Sequence, residues 1–127
     1  MNVYGIGTDM VQISRIRDLF EKYGERFTQR ILSASEQIAF KQHNEAIAYL
    51  AKRFAGKEAV AKALGTGIGS HLAFTQISIT NQANGKPVVS LLGEAKQYFH
   101  SMEVGEIMIS LSDEKEYALA FVVALKQ

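Results

Sequence analysis

Hydrophobic and polar positions change period along this chain, and the changes mark its elements. Residues 3 to 8, "VYGIGT", are a short apolar run punctuated by glycine. They predict a buried strand that ends at Asp9 and whose glycines let another backbone or a ligand come close. From Ser14, read as an N-cap, Ile16, Leu19, Phe20 and Tyr23 recur at helical spacing until Gly24 can end the helix. "SASE" at Ser33 to Glu36 has capping-box spacing and predicts a second helix from about Ala34 to about His43. The long helix follows, from about Ala46 to Leu64.

After Gly65 the period shortens to two. "AFTQISIT" and "VVSLL" alternate as strands do, and Asn84-Gly85 between them is a strong hairpin signal. A short helix around Gly93 to Met102 leads into "IMISLS" and "YALAFVVAL", which are separated by the polar turn Asp113-Glu114-Lys115-Glu116. No repeat, low-complexity tract or linker interrupts the pattern. Residues 1–127 therefore read as one α+β domain, a mainly antiparallel sheet packed on one long helix and shorter helices.

Composition narrows the partners. A formal net charge of +1 gives no global basic field, which argues against a nucleic-acid binder and leaves any acidic partner to a local patch. The lack of cysteine excludes a disulfide framework and thiolate metal sites and fits a reducing compartment. The N-terminus shows no basic stretch followed by an apolar one, and no apolar run nears the roughly 20 residues of a membrane span. The expectation is a soluble, cytoplasmic protein with no membrane attachment.

The candidate chemistry sits in the long helix, "RFAGKEAVAKALGTG" from Arg53 to Gly67. A helical wheel puts Ile47, Leu50, Phe54, Ala61 and Leu64 in one stripe, with Glu58 inside it and Lys57 at its margin. A lone carboxylate there loses hydration and protonates unless a cation or donors compensate it. Two readings are open: an internal ion pair with Lys57, Lys62 or an arginine, or a metal ligand. Asp9, at the predicted end of the first strand, supplies a second carboxylate, and two carboxylates with waters and a phosphate are a usual set for Mg²⁺. Lys62 shares the face of Glu58, and the closing "GTGIG" offers backbone N–H groups that can approach a phosphate. This is not a P-loop, because the glycines and Thr66 follow the helix instead of preceding it, and "GIGTD" lacks the full dinucleotide fingerprint.

Other residues draw plainer readings. His43, His71 and His100 have no ligand spacing and are assigned to surface or core. Met10, Met102 and Met108 are read as core filler. Arg15, Arg17, Lys22, Arg26 and Arg30 form a basic run on and after the first helix, either a solvated face or a dock for an acidic helix.

Taken together, "GIGTD" with Arg15-Ile16, "RFAGKEAVAKALGTG", "NGKP" at Asn84 to Pro87 and the closing "SLSDEKEYALAFV" resemble the holo-acyl-carrier-protein synthase family of phosphopantetheinyl transferases, in the family's order and over nearly the whole chain. The resemblance implies transfer of 4'-phosphopantetheine from coenzyme A to a serine of apo-acyl carrier protein, releasing 3',5'-ADP and supporting fatty acid biosynthesis. A Mg²⁺-dependent hydrolase of nucleotides or of the coenzyme A pyrophosphate is the alternative for the same residues. By position, Asp9 and Glu58 match the family's metal ligands and, with Lys62, its catalytic group. Arg53, Lys57, Lys62, Gly65, Thr66, Asn84, Gly85, Lys86 and Pro87 match positions at the coenzyme A groove, Lys57 being open to a second reading as a counterion for the carboxylates. Arg15, Arg26 and Arg30 match the surface that receives acyl carrier protein. The base that takes the serine proton is left among a metal-bound water, Glu58 acting through it, and Lys62. The family also implies a homotrimer with sites between subunits. One departure is Asp113 in "SLSD", where many members carry histidine, so that histidine's roles do not transfer. Gly56 is read only as a small loss of helix propensity.

Overall fold

The computed structural model describes residues 2–127. Its elements run β1 (Val3–Gln12), α1 (Ile13–Tyr23), α2 (Glu25–Ile31), α3 (Ala34–Gln42), α4 (Ala46–Leu64), a single 3-10 turn (Phe74–Gln76), β2 (Ile77–Asn81), β3 (Pro87–Leu91), α5 (Gly93–Ser101), β4 (Val104–Asp113) and β5 (Tyr117–Lys126). All strand pairings are antiparallel. One sheet has the order β1-β5-β4, and β2 and β3 form a separate hairpin. The α+β architecture and the long helix agree with the sequence reading.

Four local expectations need correction. β1 does not end at Asp9 but continues to Gln12, because Met10, Val11 and Gln12 keep the alternation and pair with Leu119, Ala118 and Tyr117. Helix α1 starts at Ile13 rather than after a Ser14 cap, and the Ile13 N–H is satisfied by the Glu116 carbonyl at 2.9 Å. The run before Ile77 is not strand: Phe74 to Gln76 make a turn whose start is held by Gln76 Oε1 accepting from the Ala73 N–H at 2.9 Å. The seven-residue α2 was not anticipated; Gly24, at φ 56°, ends α1 as expected, and the chain re-enters helix at once.

Helix α4 is the axis of the fold. It packs across β1 and β5 on one side and meets α1, α3 and the hairpin on others, so nearly all of its circumference is buried. Three glycines make this close approach possible. A Cβ built on Gly5 would fall 1.9 Å from the Ala63 carbonyl oxygen, and one on Gly7 would fall 2.1 Å from that of Ala59. Gly56, read from sequence as incidental, fits against Ile79, Leu111 and Ile109, and a Cβ there would lie 2.8 Å from the Ile79 Cδ1. Strand and helix backbones therefore touch directly.

The outer face of the three-stranded sheet is apolar and uncovered in the single chain. Val123 of β5 pairs with Ile6 on one side and Met108 on the other, and Met10 pairs with Leu119, so these side chains form rows across the sheet together with Phe121. Ile6 is 64% exposed, Met10 62% and Phe121 46%. Met10, Met102 and Met108 are thus exposed rather than core filler, since Met10 and Met108 alternate onto the outer face and Met102 caps α5. Among the described residues no helix is long and apolar enough to cross a membrane.

Candidate active site

Side chains on alternate residues of β1 point the same way, and Gly5, Gly7 and Asp9 share the side that faces α4. The two glycines draw the helix backbone onto the strand, and Asp9 is the first residue on that side with a functional group. Its carboxylate meets α4 at Lys62, whose Nζ lies 3.1 Å from Asp9 Oδ1 and donates to the Thr8 carbonyl at 2.9 Å. Asp9 stands in mid-strand, paired with Ala120, and not at a strand end.

After its first turns α4 leaves only Lys52, Phe54, Glu58 and Lys62 even partly open to solvent. Phe54, Glu58 and Lys62 are spaced four apart and so form one narrow strip. Glu58 is therefore at the exposed edge of the helix, not inside an apolar stripe; the wheel misplaced it because a helix buried on most sides has no single stripe. Burial raises the pKa of Glu58 above the ordinary glutamate value, the negative charge of Asp9 raises it further, and Lys62 and Arg15 pull it back. Two carboxylates repel across the β1–α4 seam with two cations beside them. Among the described residues no cluster of three or more metal-ligating side chains exists, so any cation here would have two protein carboxylates and would need ligands from water or substrate.

Lys57 does not belong to this site. Its side chain is fully buried and its ammonium binds Glu36 Oε1 at 2.5 Å, the Ile31 carbonyl at 2.6 Å and the Phe74 carbonyl at 3.1 Å. Neither a phosphate contact nor a counterion role beside Glu58 fits that geometry. Burial lowers its pKa, and the Glu36 carboxylate opposes the shift. Arg53, expected at a coenzyme groove, is also interior at 4% exposure, with its guanidinium 4.3 Å from the Tyr49 ring centre and 3.4 Å from Asn81 Oδ1. Its Nε is buried with no partner.

The remaining predicted residues fall in two further places. Gly65, at φ 84°, caps α4, and the exposed Thr66 hydroxyl donates to the Gly67 carbonyl, so this loop begins one turn beyond Lys62. Asn84 and Gly85 form the tip of the β2–β3 hairpin, where Asn84 Oδ1 accepts from the Lys86 N–H at 3.0 Å and Gly85 has φ 89°. Lys86 and Pro87 line a groove between β3, α5 and β4, together with Lys96 and His100. No hydrogen bond or ion pair among the described residues joins this hairpin tip to Asp9, Glu58 or Lys62. Asp113 is held by Lys52 at 3.0 Å.

Arg15, Arg26 and Arg30 do come together near Phe54. The Arg15 guanidinium lies 5.8 Å from the Phe54 ring centre, and Arg26 and Arg30 rim an apolar pocket formed by Leu19, Tyr23, Phe27 and Phe54. Sequence reasoning missed that aromatic floor, although Phe54 stands one helical turn before Glu58 and Phe27 lies between the two arginines.

Known proteins share this fold over nearly the whole chain. Residues 5–122 match the model of the 4'-phosphopantetheinyl transferase superfamily. The chain is 46% identical to a holo-(acyl-carrier-protein) synthase of Photorhabdus laumondii over 97% of its own length and 98% of that relative. It resembles the crystal structure of holo-(acyl-carrier-protein) synthase from Neisseria meningitidis with a TM-score of 0.94 at 44% identity, covering 98% of this chain and 99% of the other. A Bacillus anthracis synthase solved in complex with coenzyme A (3',5'-ADP) is similar over both full chains, with a TM-score of 0.84 and 32% identity.

The electrostatics of Glu58 give a testable sign. A carboxyl whose proton affinity rises on folding favours the folded state while protonated, and that contribution is lost as pH rises through its folded pKa. Glu58→Gln, neutral throughout, should therefore gain thermal stability relative to the unsubstituted protein as pH is raised from about 4 to about 7. Unfolding midpoints measured without divalent cations check this; a difference that stays flat or shrinks contradicts it.

Proposed function

The chain belongs to the holo-(acyl-carrier-protein) synthase family of 4'-phosphopantetheinyl transferases, and from that premise we propose how its own residues carry the transfer. The hydroxyl of a carrier-protein serine attacks the β-phosphate of coenzyme A, the 4'-phosphopantetheine moves to that oxygen, and 3',5'-ADP leaves. The observation that supports this most directly is the facing of Asp9 and Glu58 across the β1–α4 seam, with Lys62 on Asp9 and the raised proton affinity of Glu58.

The seam fits Mg²⁺: two hard oxygen ligands crowd each other and leave further ligand positions to water and a pyrophosphate. Asp9 and Glu58 would hold the ion, and when bound it would draw negative charge from the phosphoryl oxygens. Lys62 sits where its ammonium can move from Asp9 to a phosphate oxygen. The Gly65 and Gly67 N–H groups, expected from sequence to approach a phosphate, instead close the end of α4 by donating to the Ala61 carbonyl at 3.1 and 3.2 Å. Holding the two substrates in line supplies much of the remaining rate. Full-length likeness to the Photorhabdus laumondii synthase supports acyl carrier protein as the acceptor and, with it, a place in cytoplasmic fatty acid synthesis.

Docking of the carrier protein falls to Arg15, Arg26 and Arg30. Their charges surround an apolar floor that an amphipathic acidic helix would cover, and the Phe54 side of that floor leads straight to Glu58. The chain acts as a homotrimer in this reading. The uncovered rows of Ile6, Met10, Phe121 and Leu119 are the surface that subunits would share, and sites between subunits would let one chain's hairpin tip reach its neighbour's carboxylates.

Three outcomes test this reading. Asp9→Ala and Glu58→Ala should each abolish the mass increase of apo-acyl carrier protein incubated with coenzyme A and Mg²⁺ while leaving the fold intact; full activity in either sinks the carboxylate assignment, and breakdown of coenzyme A without carrier protein would favour a hydrolase. Arg15→Ala should raise the KM for carrier protein by about tenfold and hardly alter that for coenzyme A; equal effects would remove Arg15 from the dock. Phe121→Asp, placing a charge in the shared face, should shift the particle mass in solution from trimer to monomer, as light scattering would show, whereas an unchanged mass would place the subunit contact elsewhere.

A further inference from the structure

The ion pair that the reaction does not use lies beside the residue it relies on most. Lys57 and Glu58 are neighbours on α4, yet Glu58 points to the seam with Asp9 while Lys57 points into the core. The Lys57 ammonium is held at three places on three elements: the Ile31 carbonyl at the end of α2, the Glu36 carboxylate in the first turn of α3, and the Phe74 carbonyl before β2. Three acceptors fixed in space define the rotation of α4 about its own axis at this turn. Turning the helix enough to swing Glu58 off Asp9 would pull the ammonium off all three. Gly7, packed on the Ala59 carbonyl, blocks slippage from the other side.

Glu36 extends the linkage. Its Oε1 also accepts from the Ser33 N–H at 2.8 Å, and its Oε2 accepts from the Ile79 N–H at 2.6 Å. Ile79 lies on β2, two residues before Asn81, where the strand gives way to the Asn84–Pro87 tip. We propose that Glu36 and Lys57 are positioning residues for the transfer: the buried pair sets the rotation that aims Glu58 at Asp9, and the same carboxylate anchors the strand that carries the hairpin tip. The proposal rests on the reading of Glu58 and the hairpin as parts of the site. Apolar side chains of similar volume often hold a fold as well as a buried ion pair does, but they do not supply its direction.

That difference is measurable. In Glu36→Gln/Lys57→Met the charges are gone together, glutamine keeps an acceptor for the Ile79 N–H, and methionine fills the lysine stem. The variant should keep a native circular dichroism spectrum and a cooperative unfolding transition, yet lose about tenfold or more in kcat at saturating substrates. The KM for coenzyme A should rise severalfold, and the KM for carrier protein should stay within about twofold, because the arginine surface is untouched. A folded double variant with unaltered kcat overturns the proposal. Should it fail to fold, Lys57→Met alone carries the test, because the Ser33 and Ile79 N–H groups still pair with Glu36, with the same kcat loss expected and an unaltered kcat overturning it. Full activity of Glu58→Ala would overturn the underlying reading and the proposal with it. Activity lost in Glu58→Ala but kept in the pair variant overturns the proposal alone.

Discussion

The structure turns on one buried contact, the ion pair of Lys57 with Glu36. An ammonium and a carboxylate removed from water must satisfy every donor and lone pair or lose several kcal/mol each, and here each atom is occupied. The ammonium has three acceptors, and the carboxylate takes two backbone N–H groups besides. Those partners belong to α2, α3, α4, the turn before β2 and β2 itself. The helices packed around α4 and the separate hairpin, which share few residues with the main sheet, are thereby tied to the central helix by polar contacts of fixed direction. Ser33 and Ser78, with hydroxyl oxygens 2.9 Å apart, add a second polar tie between α3 and β2 close by.

The opposite side of α4 is organised by the absence of side chains. Gly5 and Gly7 let backbone meet backbone, and the next residue of the same parity, Asp9, is delivered to the helix at the level of Glu58 and Lys62. A functional group is therefore placed by two residues that have none. This much is legible in "GIGTD" once strand parity is applied. What the pattern cannot show is where the strand stops, since Met10 to Gln12 continue it only because β5 is there to pair with them.

Legibility fails at Lys57 for a related reason. A helical wheel assumes one wet face and one dry one, and α4 has almost no wet face, so a lysine at the centre of the core looks marginal and a glutamate at the open edge looks central. The missing information was the identity of the partner. "SASE" was read as a capping box, and it is one, but Glu36 also reaches 21 residues along the chain to Lys57, a pairing no local pattern encodes. The exposed methionines misled for the same kind of reason: Met10 and Met108 alternate correctly onto one face, and that face is left open in the chain by itself.

That open face bears on the proposed chemistry. Within one chain the carboxylates lie on the β1–α4 seam, while the hairpin tip lies over a different groove between β3, α5 and β4. A ligand held by both would have to bridge these two places, and the proposed assembly offers a route between chains. Assembly through the sheet would then do more than cover apolar side chains. It would bring a basic groove of one subunit to the paired carboxylates of the next, where Lys62 and Arg15 already offset part of the repulsion between Asp9 and Glu58 and a bound cation would offset more. The rigidity of the Lys57–Glu36 hub is what such an arrangement requires, because a site divided between subunits has no covalent path short enough to correct an error in the rotation of α4.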